Sequence, residues 1–172
     1  MNLTILIISY KSITKLEKCL SYIGNTNEVI IVENSDNAEL KSEIERKYKN
    51  CKVIINNDNL GWSRAANIGL KEIKTKYVII LNPDTLIKHN QFIEIENEIQ
   101  SLNGNFTLAT PYYDELVDFN KNKDFDKYLN MTKISNDSET KTSKVDLVKG
   151  SALIINLDKF ENRKIYDENL FF

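Results

Sequence analysis

The sequence predicts an α/β fold, a mostly parallel Rossmann-like sheet flanked by helices in three α/β/α layers, and three observations predict it. Short runs rich in Ile, Val and Leu recur between stretches whose apolar residues fall three and four apart, the alternation of strands with crossover helices. The runs are continuously apolar, as strands buried on both faces are. Their carboxyl ends carry polar residues, and open α/β sheets bind ligands at those ends.

The first strand is Leu3 to Ile8. Ile13, Leu16, Leu20 and Ile23 then draw one apolar stripe on a helix that Ser12 is placed to cap. Val29 to Val32 is a second strand, Leu40, Ile44 and Tyr48 mark a second helix, and Lys52 to Ile55 is a third strand. Trp62 to Ile73 forms a helix rich in small residues, and Tyr77 to Leu81 a fourth strand. Beyond Pro83, the spacing of Phe92, Ile95, Ile99 and Leu102 predicts a helix ending near Asn103-Gly104. Leu108 to Thr110 reads as a short strand. The polar stretch from about Asp114 to Lys144 reads as a long functional loop or partly helical insertion, because strand-like Asp146 to Val148 and Ala152 to Ile155 follow it.

At 172 residues, 41% hydrophobic, the chain is long enough for one domain with a real core. The 23 basic residues are balanced by 25 acidic ones, so the basic excess expected of a nucleic-acid binder is missing. Met1 to Ile8 lacks the basic flank and cleavage site of a leader and reads as a buried strand. Cys19 and Cys51 are too few for a disulfide framework or metal cluster; they read as reduced core thiols, which places the protein in the cytoplasm.

Four strand ends carry the candidate chemistry. Ser9-Tyr10 offers a hydroxyl and an aromatic face to a base, although a Tyr leaving a strand also serves as core edge. Glu33, at the head of Glu33-Asn34-Ser35-Asp36, can accept from a ribose hydroxyl or from the imide N–H of uracil or thymine; Glu33 and Asp36 equally suit capping of the next helix. The stretch Asn59-Leu60-Gly61-Trp62-Ser63-Arg64-Ala65-Ala66-Asn67 joins a glycine turn to an Arg in the first turn of a helix, suited to bidentate pairing with a diphosphate. Trp62 itself reads as core. Asn82-Pro83-Asp84 puts a carboxylate at the tip of a buried strand, where a magnesium or manganese ion sharing phosphate oxygens needs few protein ligands. The competing reading of Asp84 is a helix cap, and His89 reads as a surface residue.

In this order, the four motifs resemble the family-two glycosyltransferases of the GT-A fold, in particular their rhamnosyltransferase-like branch. Val32-Glu33-Asn34-Ser35 matches the family's acidic-Asn-x-Ser turn, with Glu33 in place of the commoner Asp. Asn59, Gly61 and Asn67 fit its N-x-G-x-x-x-x-x-N stretch, and Asn82-Pro83-Asp84 its N-P-D variant of D-x-D. The resemblance implies inverting sugar transfer from a UDP or dTDP donor to a glycan or lipid-linked acceptor, in bacterial surface polysaccharide synthesis, at the inner face of the membrane. It implies that Asp84 coordinates the divalent cation on the donor diphosphate. Asn82 is one carboxylate fewer than D-x-D, which leaves Arg64 or Lys11 to carry part of that charge. Lys149-Gly150-Ser151-Ala152 resembles the family's glycine-led strand beside the donor sugar, Gly150 permitting close approach. Asp167 to Phe172 resembles the segment just ahead of an acidic pair that supplies the general base, so the base is expected after Phe172.

The organisation implied is one domain over 1–172: a nucleotide-sugar-binding region over 1–110, a polar insertion at about 114–144 and an incomplete acceptor region over 145–172. Two other readings stand beside the transferase. A non-catalytic nucleotide-binding module would leave Leu170-Phe171-Phe172 as an exposed apolar tail unless it docks on the core or on a second copy, as in a homodimer. A sugar-phosphate nucleotidyltransferase would show an early Gly-rich phosphate loop, and none is present.

Overall fold

Seven consecutive residues, Leu3–Ser9, form β1, buried throughout and placed at the heart of a six-stranded sheet. The computed structural model describes residues 2–111 and 150–170. In chain order β1 is followed by α1 (Ile13–Ile23), β2 (Val29–Glu33), α2 (Ala38–Lys47), β3 (Cys51–Ile55), α3 (Trp62–Glu72), β4 (Tyr77–Leu81), α4 (His89–Ser101), β5 (Leu108–Ala109) and β6 (Ala152–Asn156). The sheet order is β3-β2-β1-β4-β6-β5, with β3, β2, β1 and β4 parallel and β6 and β5 antiparallel additions.

Alternation along the strands explains the layers, because successive side chains leave opposite faces of a sheet. Leu3, Ile5 and Ile7 of β1, with Val29, Ile31, Ile79 and Leu81, pack against Leu16, Cys19, Leu20 and Ile23 of α1, Leu40 and Ile44 of α2, and Phe92 and Ile99 of α4. Leu6 and Ile8, with Ile30, Val32, Val78 and Ile80, pack on the other face against Ala65, Ala66 and Leu70 of α3, and against Phe160, Ile165 and Tyr166. The result is the expected three-layer α/β/α arrangement. Small residues let α3 lie close to the sheet: a methyl group added at Gly69 would stand 2.3 Å from Leu6 Cδ1 and 3.0 Å from Val32 Cγ2. No helix among the described residues is long and apolar enough to cross a membrane.

The departures from the sequence reading are local. Ser12 occupies the N-cap position of α1, but its hydroxyl pairs with Ser9 Oγ at 3.1 Å and does not cap. Asn37 caps α2 by accepting from the Leu40 N–H, so neither Glu33 nor Asp36 does that work. Tyr48 falls just outside α2 and β3 begins at Cys51. Asp84 does not cap α4 either: Lys88 holds the N-cap, its N–H donating to Gln91 Oε1 at 2.8 Å. His89 is half-buried and shares a hydrogen bond with Thr26 Oγ1 at 2.9 Å. The polar stretch 114–144 and the strand expected at 146–148 lie outside the described residues.

Because β2 and β3 build outward on one side of β1 while β4 lies on the other, the order of strand addition reverses between β1 and β4. Such a switch point opens a crevice at the carboxyl ends of the strands, and the four polar motifs all emerge there.

Candidate functional site

Backbone hydrogen bonds draw the strand ends together first. Asn34 N donates to Ser9 O at 2.7 Å and Asn56 N to Glu33 O at 2.9 Å, extending the pairing just past the strands. Lys11 turns the chain out of β1 with φ +48°, a left-handed conformation that costs a non-glycine residue about 1 kcal/mol or more. That turn aims the Lys11 N–H back at the Glu33 carboxylate, 3.1 Å from Oε1.

Glu33 is fully buried, and its two oxygens differ. Oε1 accepts from the Lys11 N–H and from the Ser35 hydroxyl in a short bond, while Oε2 has no partner. A buried acceptor left unsatisfied costs about 1–3 kcal/mol, so an orphan of this kind calls for an explanation. Beside it lies an open hollow of about 260 Å³ lined by Tyr10, Lys11, Ser35, Asp36 and Asn57 to Asn59. Both hydrogen-bond partners of Glu33 belong to that lining. Tyr10 is half exposed above it, at 48%.

Asn34 holds the loop that forms the far wall. Its Nδ2 donates to Asn59 Oδ1 and Gly61 O, and its Oδ1 accepts from Asn56 Nδ2 and the Leu60 N–H. With its amide committed to these four bonds, Asn34 holds the shape of the loop. Gly61 adopts φ +77° at the N-cap of α3, a conformation that glycine alone takes at no steric cost. It turns the chain so that the uncapped N-terminus of α3, with no acidic residue in its first turn, opens at the same edge and favours an anion there.

Arg64 stands in that first turn, exposed, with Nε donating to Glu168 O at 3.1 Å. On the other side of β1, Asn82 N donates to Ser151 O at 3.2 Å and Thr85 Oγ1 to the same carbonyl at 3.0 Å, which brings the start of β6 against the Asn82-Asp84 turn. Gly150 is exposed there, and a methyl group added to it would meet nothing within 4 Å, so the described chain leaves that space open. Asp84 reaches solvent with a side-chain exposure of 56% and pairs with Lys15 of α1 at 3.3 Å.

A model of Glycosyl transferase family 2 matches residues 4–160, which spans every motif just described. The chain belongs to that family. A curated relative is the low-salt glycan biosynthesis hexosyltransferase Agl10 of Haloferax volcanii, 28% identical over 114 residues, 64% of this chain. The chain spans 36% of that relative's length. Among solved structures, residues 1–349 of S. aureus TarS superpose with a TM-score of 0.66 at 15% identity, covering 100% of this chain and 52% of the other. The mannosyltransferase PcManGT from Pyrobaculum calidifontis, in complex with GDP-Man and Mn2+, gives 0.65 at 16% identity over 92% of this chain and 46% of its own. These likenesses establish the GT-A fold.

For a family-two glycosyltransferase the donor set at Asp84 decides what cation fits. No group of three or more Asp, Glu, His or Cys side chains that could together hold a metal ion is found among the described residues. A hard divalent cation would be held here by Asp84, with phosphate oxygens and water completing its shell, because such ions accept one or two carboxylates.

Sequence reasoning named Asn67 as a donor ligand, but the structure commits its side chain elsewhere. Asn67 is 1% exposed; its Oδ1 accepts from the N–H groups of Ile165 and Tyr166, and its Nδ2 donates to Tyr166 O and Glu168 Oε1. The Lys11 N–H on Glu33 and the Lys15–Asp84 pair were also missed; main-chain donors and pairs 69 positions apart leave no local pattern in a sequence.

Proposed function

We propose that this chain binds the nucleotide-sugar donor of an inverting glycosyl transfer, and that the donor carries uracil or thymine. The observation that carries the reading is the unpartnered Glu33 Oε2, buried beside the hollow at the end of β2. The imide of uracil or thymine presents one N–H, and one free carboxylate oxygen is what remains at Glu33. Guanine presents two adjacent N–H groups and would ask for both oxygens, of which Oε1 is already engaged twice. Tyr10 supplies a ring face for the base and Ser9 closes the strand beneath it.

From the base, the diphosphate would run toward the N-terminus of α3 and the Asn82-Asp84 turn. As the bond between the anomeric carbon and the departing oxygen breaks, negative charge grows on the nucleoside diphosphate. Arg64, the α3 N-terminus and Asp84 through its cation, magnesium or manganese, are the groups placed to stabilise it. When bound, that ion supplies positive charge on the leaving diphosphate. Gly150 leaves space on the β6 side for the sugar.

A glycan or lipid-linked acceptor, a role in bacterial surface polysaccharide synthesis and a cytoplasmic place at the inner membrane face complete the proposal; the resemblance of the ordered motifs to the rhamnosyltransferase-like branch supports them. A homodimer through the C-terminal apolar residues, of which Leu170 is 51% exposed, belongs to the same proposal.

Calorimetry with UDP, dTDP and GDP in the presence of manganese tests it. Binding of UDP or dTDP that exceeds GDP, and that loses its manganese dependence in Asp84→Ala, is expected. No binding of any of the three, or a preference for GDP, overturns the reading.

A further inference from the structure

Residues 163–168 lie along α3 in the opposite direction to the helix, and three contacts fix them there. Arg163 Nη1 donates to Ile73 O at the carboxyl end of α3. One to two turns earlier, Asn67 holds Ile165, Tyr166 and Glu168 through four hydrogen bonds of 2.9–3.1 Å. At the amino end Arg64 Nε donates to Glu168 O, and the Tyr166 ring stands edge-on to Trp62, centroids 4.8 Å apart. The strap therefore ends where the proposed diphosphate would sit.

Asn67 is the one contact of the three made by a buried side chain, and an amide suits it. Its oxygen satisfies two main-chain N–H groups of the strap, while its nitrogen satisfies one carbonyl and one carboxylate oxygen; neither Asp nor Leu can do both. Asn67 and Lys164 together hold the Glu168 carboxyl below the usual carboxylate range. Once Glu168 is fixed, its carbonyl fixes Nε of Arg64. The two Nη groups of Arg64 have no partner among the described residues, and two parallel N–H donors in a fixed plane are what a phosphate takes best.

We propose that Asn67 is a positioning residue of the donor site: it pins the 165–168 strap along α3 and so sets the Arg64 guanidinium for the diphosphate, without touching the donor. This rests on the reading of Arg64 given above. It also explains why an Asn stands six residues after the turn glycine, facing a strap nearly 100 positions away and not the ligand crevice.

The test is a set of calorimetric titrations with UDP and with uridine, manganese present, on the full chain. An aspartate at position 67 keeps both acceptor bonds but sets a carboxylate oxygen against Tyr166 O and Glu168 Oε1, which lie 2.9 and 3.1 Å from the Asn67 nitrogen, so Asn67→Asp should loosen the strap, its end most. The expected results are a UDP affinity several-fold weaker with uridine affinity unchanged, and a partial recovery in Asn67→Asp/Glu168→Gln, where the new amide can donate to the carboxylate introduced at position 67 while the bond to Tyr166 O stays lost. Arg64→Ala should weaken UDP by about ten-fold or more, one charge-assisted hydrogen bond, and adding Asn67→Asp to it should change nothing further.

Equal losses for UDP and uridine, no recovery in the double variant, or additivity with Arg64→Ala would overturn the positioning role. An Arg64→Ala chain that binds UDP as tightly as the parent overturns both this inference and the placement of Arg64 on the diphosphate. A full Arg64→Ala loss with an unrescued Asn67→Asp overturns the role of Asn67 alone. Thermal unfolding of each variant separates these outcomes from loss of fold.

Discussion

Replacing Glu33 with Gln separates what this residue does for a ligand from what it does for the fold. The change is isosteric, and the Gln oxygen can keep accepting from the Lys11 N–H and the Ser35 hydroxyl. The amide NH2 then falls where Oε2 stands, turning the one free acceptor of a fully buried side chain into a donor. A base N–H that had a charged acceptor now faces a donor. Loss of a hydrogen bond to a charged group is worth about 1.5–3 kcal/mol, roughly a ten- to hundred-fold weakening of UDP or dTDP binding. Stability should respond far less. The two bonds to Oε1 weaken when the acceptor loses its charge, and removing a buried, partly unsatisfied carboxylate offsets that, so a net change within about 1 kcal/mol is expected. For a chain of this size that moves the midpoint of thermal unfolding by only about 2–4 °C. Calorimetry and thermal melting on the same samples read both quantities. A Glu33→Gln chain that folds normally and binds UDP as tightly as the parent would refute the assignment of Oε2 to the base.

Asn34→Ala removes the four internal hydrogen bonds that hold the 56–61 loop, and should lower stability by about 2–4 kcal/mol in urea unfolding, with ligand affinity falling because the hollow loses its wall. Gly69→Ala forces a methyl group into Leu6 Cδ1 and should cost about 1–3 kcal/mol by the same measurement, even though alanine is the better helix former. Burial raises the Cys19 thiol to about 11, with the Asp84 charge adding to it, and raises Cys51 to about 12, with smaller contributions from Cys19 and Glu45. Both thiols therefore resist alkylation at pH 8.5 in the folded chain and react on unfolding. Their folded values lie above the unfolded value near 9, so the folded state holds these protons more tightly. The associated stability is complete below about pH 9 and is lost progressively as pH rises through 11 and 12, which urea titrations at increasing pH would follow.

The layers of the fold were legible because burial on both faces of β1, β2 and β4 leaves continuous apolar runs, and because α1 and α4 carry stripes with helical spacing. Strand ends were legible for a related reason: polar Glu33, Asn34 and Asn82 break those runs abruptly. Which partner each polar group finds was not legible. Asn34 and Asn67 both read in sequence as polar residues of the strand-end motifs, and both turn out to satisfy main-chain groups of segments about 25 and 100 positions away. Capping was misjudged in the same way. Ser12 has the right type and place, but Ser9 lies within reach and takes its hydroxyl. Antiparallel β6 slots between β4 and β5, and its partner strands are chosen by long-range pairing that no local pattern records.

Binding of a nucleoside diphosphate across the carboxyl ends of β1, β2, β3 and β4 is tested most directly by amide NMR of the chain during titration with UDP and a divalent cation. Magnesium serves for this purpose, being diamagnetic. Saturable shifts are predicted for the amides of Lys11, Ser35, Asn59, Gly61, Arg64 and Asp84, the set gathered at that edge. The opposite edge of the sheet has a hollow of its own, lined by Asn2, Lys76, Glu96 and Asn103, and its amides should stay unmoved. Shifts confined to that opposite edge, or none at either, would contradict the placement of the donor at the strand ends.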